Sequence, residues 1–363
     1  MDMKKILFLL LLSCSLLYPQ INPVRGAWLT NVDSRVLNSK ENIVKAVQQY
    51  KDLGLNTIFV VMWNKGFTLY PSKIMKDLTG MKIYPEFAGR DPLKEIIEEA
   101  HKNNIKVFAW FEFGFSSSYS LDGGLLIKLK PNWASKNSKG ELVVKNGFDW
   151  LNGLNSDVQG FMLSLIMEVV KNYDVDGIQG DDRLPAMPVE AGYDDYTVSL
   201  YKLKHQGKTP PADMRDSSWV QWRADILNRF MKLIHDEVKA VKKKVVISMA
   251  PSVYPWSKEE YLQDWPLWVK KGYVDIICPQ LYRYEVKDYV KALDEIVDGQ
   301  ISKDKLSKFY PGILLKVGKY TASEEYIKQV IDEDRKRNVN GEVYFFYEGL
   351  DSVKNVLKQN YVK

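Results

Sequence analysis

The chain has 363 residues, 45% of them hydrophobic, with a net charge of +5 and two cysteines. So small a positive excess leaves no electrostatic footprint for nucleic acid, and two cysteines rule out a disulfide-stapled scaffold. Stability must come from a buried core, which a chain of this length can supply as one large domain.

Residues 1–20 have the layout of a secretory signal. Met1 to Lys5 is short and charged, and Ile6 to Leu12 is apolar but too brief to span a bilayer as a helix. The expectation is export, with residues 21–363 forming a single domain. Leu11-Leu12-Ser13-Cys14 fits a lipoprotein processing site, which would leave a lipidated Cys14 as the only link to a membrane. The alternative is that Cys14 is one more apolar residue of the signal and cleavage falls near Gln20, and no Ala-x-Ala pattern decides between them.

Apolar strand-like runs then alternate with amphipathic helical stretches. Arg25 to Val32 reads as a first strand, followed by a helix from Lys40 to Gly54 with Ser39 as its cap. Asn56 to Trp63 is a second strand, rich in β-branched and aromatic residues. Asp91-Pro92 opens a helix to Asn104, Lys106 to Phe115 makes a third strand, and a helix over Ser156 to Tyr173 leads into a fourth, Val175 to Arg183. A long helix from Ser218 to Lys243 precedes the fifth strand, Val245 to Ala250, and the sixth, Asp275 to Arg283. Helix Val286 to Val297, strand Lys308 to Leu315, helix Ser323 to Asn338, strand Gly341 to Tyr347 and a last helix from Asp351 complete the series. Eight strands alternating with helices, with no glycine fingerprint after the first, predict an α/β fold of the (β/α)8 TIM-barrel type. The connections after the third strand (Ser116 to Asp149) and the fourth (Leu184 to Ser217) are unusually long, so short helices or a hairpin are expected inside each. The patch Tyr196 to Lys204 is one such helix.

In a barrel every strand ends on one face, where catalysis is assembled. The first strand leads to Asp33, the second to Trp63 and Asn64, and the third carries Trp110 and Glu112. The fourth ends in Asp181, Asp182 and Arg183, the sixth in Gln280 and Tyr282, and the eighth in Tyr347 and Glu348. An acidic pair after a strand is by itself more often a cap or a turn. Here the pair has company. Hydrolysis of a glycosidic bond needs two carboxyl groups about 5 to 9 Å apart, one protonated and one ionised, and this face offers several. The three histidines, His101, His205 and His235, lack ligand spacing, which disfavours zinc. No Gly-x-Ser-x-Gly elbow occurs. A carbohydrate-binding barrel without catalysis and a metal-assisted hydrolase are the competing readings; neither a metal nor a cofactor is expected.

The runs Arg25 to Ser34, Ala109 to Phe115, Val175 to Asp182 and Tyr261-Leu262-Gln263-Asp264-Trp265 resemble the glycoside hydrolase-like family ten proteins, over about Val24 to Leu350. The resemblance implies a (β/α)8 barrel, export from a bacterial cytoplasm to the periplasm, outer membrane or beyond, and action on a bacterial polysaccharide; one branch of that family cleaves peptidoglycan glycan strands. Gly180 and Arg183 depart from the residues that often flank the family's Asp pair. A weaker similarity to the fourth-strand motif of amylase-type barrels places Asp181 at the nucleophile position, with Asp182 in support. Glu112, among Trp110, Phe111 and Phe113, is the expected proton donor, because apolar neighbours favour its protonated form. Glu348 is the second choice. Trp63, Trp110, Tyr282 and Tyr347 are candidate sugar platforms, and Asp33, Asn64, Arg183 and Gln280 candidate partners for sugar hydroxyls.

Overall fold

The computed structural model describes residues 23–362, so the predicted signal segment and Cys14 lie outside the described residues. Eight parallel strands form one curved sheet: β1 (Gly26–Leu29), β2 (Thr57–Val61), β3 (Lys106–Phe111), β4 (Gly177–Asp181), β5 (Val246–Ala250), β6 (Ile276–Ile277), β7 (Gly312–Leu314) and β8 (Val343–Phe345). Their spatial order runs β6-β5-β4-β3-β2-β1-β8-β7. Parallel bridges from Ile277 to Phe309 and from Gln280 to Gly312 join the two end strands, which closes the barrel.

Helices α1 (Lys40–Asp52), α2 (Pro92–Lys102), α3 (Ser156–Asn172), α4 (Ser217–Val241), α5 (Trp265–Lys271), α6 (Val286–Glu295), α7 (Glu324–Lys336) and α8 (Lys354–Tyr361) follow the strands. Their starts are chemically marked. The Ser39 hydroxyl accepts from the Asn42 amide, and Asp91 from the Lys94 amide with Pro92 in the first turn. Helix α1 buries Ile43, Ala46, Val47 and Tyr50, the three-and-four spacing that sets one apolar face against the sheet.

Several strands are shorter than the sequence predicts. β3 stops at Phe111 because the Gly114 amide turns back to the Phe111 carbonyl (3.1 Å). β6 keeps two residues, since Pro279 has no N–H to continue the ladder. The connection after β3 contains a helix (Gly124–Leu129) and a small antiparallel sheet of Ser116–Tyr119, Phe148–Trp150 and Val144–Lys145. That after β4 contains the helix Asp195–Lys204.

Inside the barrel, one layer below the mouth, a fully buried polar chain crosses the aromatic core. The Trp28 indole donates to Gln179 Oε1 (2.6 Å), Gln179 Nε2 donates to Ser248 Oγ (2.9 Å), and Ser248 lies 3.8 Å from the Cys278 sulfur. Trp28 also packs against Phe59 and Trp110, with ring centres 5.9 and 6.3 Å apart. Each partner there satisfies a group that no water reaches. Replacing Gln179 with Ala orphans the Trp28 and Ser248 groups and opens a cavity. We expect a loss of about 2 kcal/mol, read as a lower urea midpoint at unchanged slope.

Candidate active site

Alternation along β4 sends Gln179 and Asp181 into the barrel and Ile178 and Gly180 toward the helices. At Gly180 a Cβ would stand 2.5 Å from the Met249 sulfur and 2.6 Å from the Leu184 carbonyl oxygen, because the chain folds back tightly after the strand. The departure of Gly180 from the family pattern therefore has a local steric cause. Asp181 then lies at the mouth, 3% exposed, as the last strand residue.

Three carboxyl groups meet there around one guanidinium. Arg183 Nη1 is 2.8 Å from Asp182 Oδ1, and Nη2 is 3.3 Å from Asp181 Oδ2 and 3.8 Å from Glu112 Oε1. Arg183 is itself held by three contacts. Its Nε donates to the Glu112 carbonyl (3.0 Å), and its plane lies 4.5 Å from the centre of the Phe148 ring and 5.7 Å from that of Phe113. The two loops touch at the backbone as well. Gly114 has φ +50°, and a Cβ there would stand 2.1 Å from the Arg183 carbonyl oxygen, which accepts from the Phe115 amide (2.9 Å).

Asp181 and Glu112 each have their own donors. Asp181 Oδ1 accepts from Gln280 Nε2 (2.6 Å) and the Asp182 amide (2.8 Å), while the Asp181 carbonyl accepts from Gln263 Nε2 (2.9 Å). Glu112 Oε2 accepts from Asn64 Nδ2 (2.5 Å). Burial and the Asp182 charge push the Asp181 carboxyl well above the ordinary carboxylate range, with Arg183 pulling the other way. Burial raises Glu112 too, against Arg183 and Asn64, and raises Asp182 against Arg183. One guanidinium cannot balance three buried negative charges, so the cluster favours retaining protons.

The predicted residues divide clearly. Asp181, Asp182, Glu112, Arg183, Asn64 and Gln280 come together, although Asn64, Gln280 and Arg183 hold the acids rather than standing free for sugar hydroxyls. Tyr282 is half-buried beside Phe345, ring centres 5.2 Å apart, and the charges of Asp181 and Asp182 add to the burial that raises its phenol. The other platforms need correction. Trp63 is 0% exposed and donates to the Gly114 carbonyl (2.9 Å), and Trp110 is 2% exposed against Trp28, so neither presents a face. Tyr347 stacks on Tyr50 of α1, ring centres 6.0 Å apart and nearly parallel, which occupies its face. Glu348 and Asp33 line a separate open pocket with Ser34, Arg35, Asn38 and Glu86, and neither makes an ion pair with the acid cluster among the described residues. Gln263, Phe148 and Phe345 belong to the site and carry no local sequence signal, except that Gln263 lies in the Tyr261 to Trp265 run. Among the described residues no group of three or more His, Cys, Asp or Glu side chains is placed to hold a metal ion, and the cation amid the three acids is Arg183.

Comparison with known proteins agrees with this architecture. Glycosyl hydrolase DigH of Escherichia coli K12 is 26% identical over 288 residues, covering 72% of this chain and 62% of that one, so the chain spans less than two thirds of that relative. Glycosyl hydrolase YngK of Bacillus subtilis is 23% identical over 359 residues, covering 89% of this chain and 66% of that one. In fold, the chain is similar to the PgaB (BpsB) glycoside hydrolase domain of Bordetella bronchiseptica, with a TM-score of 0.69 at 12% identity over 94% of this chain and 100% of that one. The β-amylase catalytic domain of Paenibacillus polymyxa gives 0.63 at 10% identity, over 93% and 97%. Residues 23–329 match the profile of Glycosyl hydrolase-like 10, and the chain belongs to that family.

Proposed function

We propose that this protein is a glycoside hydrolase that uses Asp181 as nucleophile and Glu112 as general acid. The observation that carries the reading is the shared contact of both acids with Arg183 Nη2, at 3.3 and 3.8 Å. It limits the gap between the facing oxygens to about 7 Å, which suits two carboxyls acting across one scissile bond. Oδ1 of Asp181 is engaged by Gln280 and the Asp182 amide, while Oδ2 has the single contact with Arg183, so Oδ2 is the atom assigned to attack the anomeric carbon. Gln280, the Asp182 amide and Arg183 act in favour of the ionised form of Asp181, against the burial and the Asp182 charge that push its carboxyl up. Glu112, also raised by burial, has one amide donor and the longest of the three contacts with Arg183, and in this reading it delivers a proton to the leaving oxygen. Tyr282 and Phe345 offer half-buried aromatic surface at the mouth.

The substrate within this reading is an exported bacterial glycan, cell-wall peptidoglycan foremost. Support comes from the charged and apolar layout of Met1 to Leu12, which fits an export signal, and from the similarity to glycosyl hydrolases. Lipidation of Cys14 would tether the enzyme where that glycan lies.

Incubation with peptidoglycan sacculi and a panel of polysaccharides, with and without chelator, tests the reading. Asp181→Asn and Glu112→Gln should each lower turnover about 10²- to 10⁴-fold, and the Glu112→Gln loss should shrink on aryl glycosides whose leaving group needs no proton. Retention of anomeric configuration, read by NMR on the first product, is expected for attack by Asp181. Glycan binding without any cleavage would replace the reading with the non-catalytic barrel, and full activity in Asp181→Asn would remove the nucleophile.

Stability against pH gives a second test. A carboxyl whose pKa is raised on folding binds its proton more tightly in the folded state. It therefore favours folding at low pH and costs stability as pH climbs from the ordinary carboxylate range through the raised value. Asp181→Asn should thus melt above wild type at pH 8, and the difference should fall toward zero near pH 4. Thermal melts at the two pH values measure it.

A further inference from the structure

Nine of the ten tryptophans are buried or half-buried, and one is exposed. Trp256 is 44% exposed, at the first position of the short helix Trp256–Tyr261 that follows β5 on the same face as the acids. Its mount is rigid. The Ser257 amide bonds the Val253 carbonyl (2.9 Å) and its hydroxyl the Gln263 carbonyl (2.9 Å), while Lys258 reaches Gln221 (2.8 Å) and Asp264 (3.1 Å). The helix leads directly to Gln263, whose amide holds the Asp181 carbonyl. An apolar ring is thereby held at a set position relative to the proposed nucleophile.

Polar groups lie beside the helix that links them. Tyr261, 7% exposed, lies 5.3 Å from the Trp256 ring at the end of the same helix, two residues before Gln263. Its hydroxyl accepts from Asn146 Nδ2 (2.9 Å), giving an amide and a phenol that can exchange hydrogen bonds with sugar hydroxyls. Lys145 is within reach of Glu190 (3.1 Å) and Glu260 (2.8 Å), and Arg215 also pairs with Glu260 (2.6 Å), so the charges nearby are compensated in pairs. That favours an uncharged pyranose unit, whose C–H face stacks on indole. From these contacts we propose that Trp256 is the platform of a distal sugar-binding subsite, occupied by a pyranose of the same glycan chain that Asp181 cleaves. This rests on the glycoside hydrolase reading for the identity of the chain, but its test does not require turnover.

The full chain carrying Asp181→Asn is bound to peptidoglycan sacculi, chitin, cellulose and xylan by sedimentation, and compared with the same protein carrying Trp256→Ala or Trp256→Phe. The expected result is about a tenfold loss of affinity for the retained polymer in Trp256→Ala, with most of it kept in Trp256→Phe. Iodide quenching of tryptophan fluorescence supplies the second measurement. The quenchable fraction should fall when soluble fragments of that polymer bind, and should be absent in Trp256→Ala. An unchanged melting temperature separates lost binding from lost folding, as expected for an exposed side chain. Equal affinity in Trp256→Ala, or no polymer retained by the Asp181→Asn protein, overturns the subsite. If wild type cleaves a glycan and Trp256→Ala binds it equally, the subsite alone fails; if Trp256-dependent binding persists with no cleavage by wild type, the catalytic reading alone fails.

Discussion

The Arg183 guanidinium, shared by Asp181, Asp182 and Glu112, is the contact on which the rest of the barrel mouth depends. Taking an ionised carboxylate out of water costs several kcal/mol, and only a well-placed opposite charge offsets it. The surroundings of Arg183 are accordingly fixed from three directions: the Glu112 carbonyl, the Phe148 ring and the backbone stitch at Gly114. The small antiparallel sheet in the connection after β3 brings Phe148 over the guanidinium plane. That connection is thus part of the electrostatics, not only a wall.

Below the mouth, the Trp28, Gln179 and Ser248 chain ties β1, β4 and β5 across the barrel one layer beneath Asp181. Gln179 and Asp181 are neighbours on the same face of one strand, so a rotation of Gln179 would be passed to the acid. Above it, Gln280 from the segment after β6 and Gln263 from the segment after β5 hold the side chain and the carbonyl of Asp181 separately. Side chains from two other sectors of the barrel thus hold one β4 residue. Such anchoring fixes the geometry of the proposed nucleophile as charge moves.

Strand and helix alternation was legible because hydrophobic periodicity and caps are local properties, as Ser39 and Asp91 illustrate. The acids were legible because strand ends share a face in a barrel. What sequence could not supply was the sector and depth of each side chain. Trp63 and Trp110 lie at strand ends as expected, yet their rings pack beneath the mouth, and depth is set by neighbours such as Phe161 and Trp28. Glu348 shares the face but lies against the β1 and β2 loops with Asp33 and Glu86. The Gln263 contact joins residues 82 positions apart, a tertiary event with no local pattern. The long connections were visible as length, and the stacking of Phe148 on Arg183 was not.

The stitch at Gly114 has a consequence for evolution and engineering. Because the backbone of the β3 connection meets the Arg183 carbonyl with no space for even a methyl group, the β3 and β4 loops form one inseparable module. Barrel enzymes are commonly diversified by exchanging single rim loops on a constant frame. Here a graft of either loop alone would break the other, so new specificities at this rim should arise by paired replacement of both.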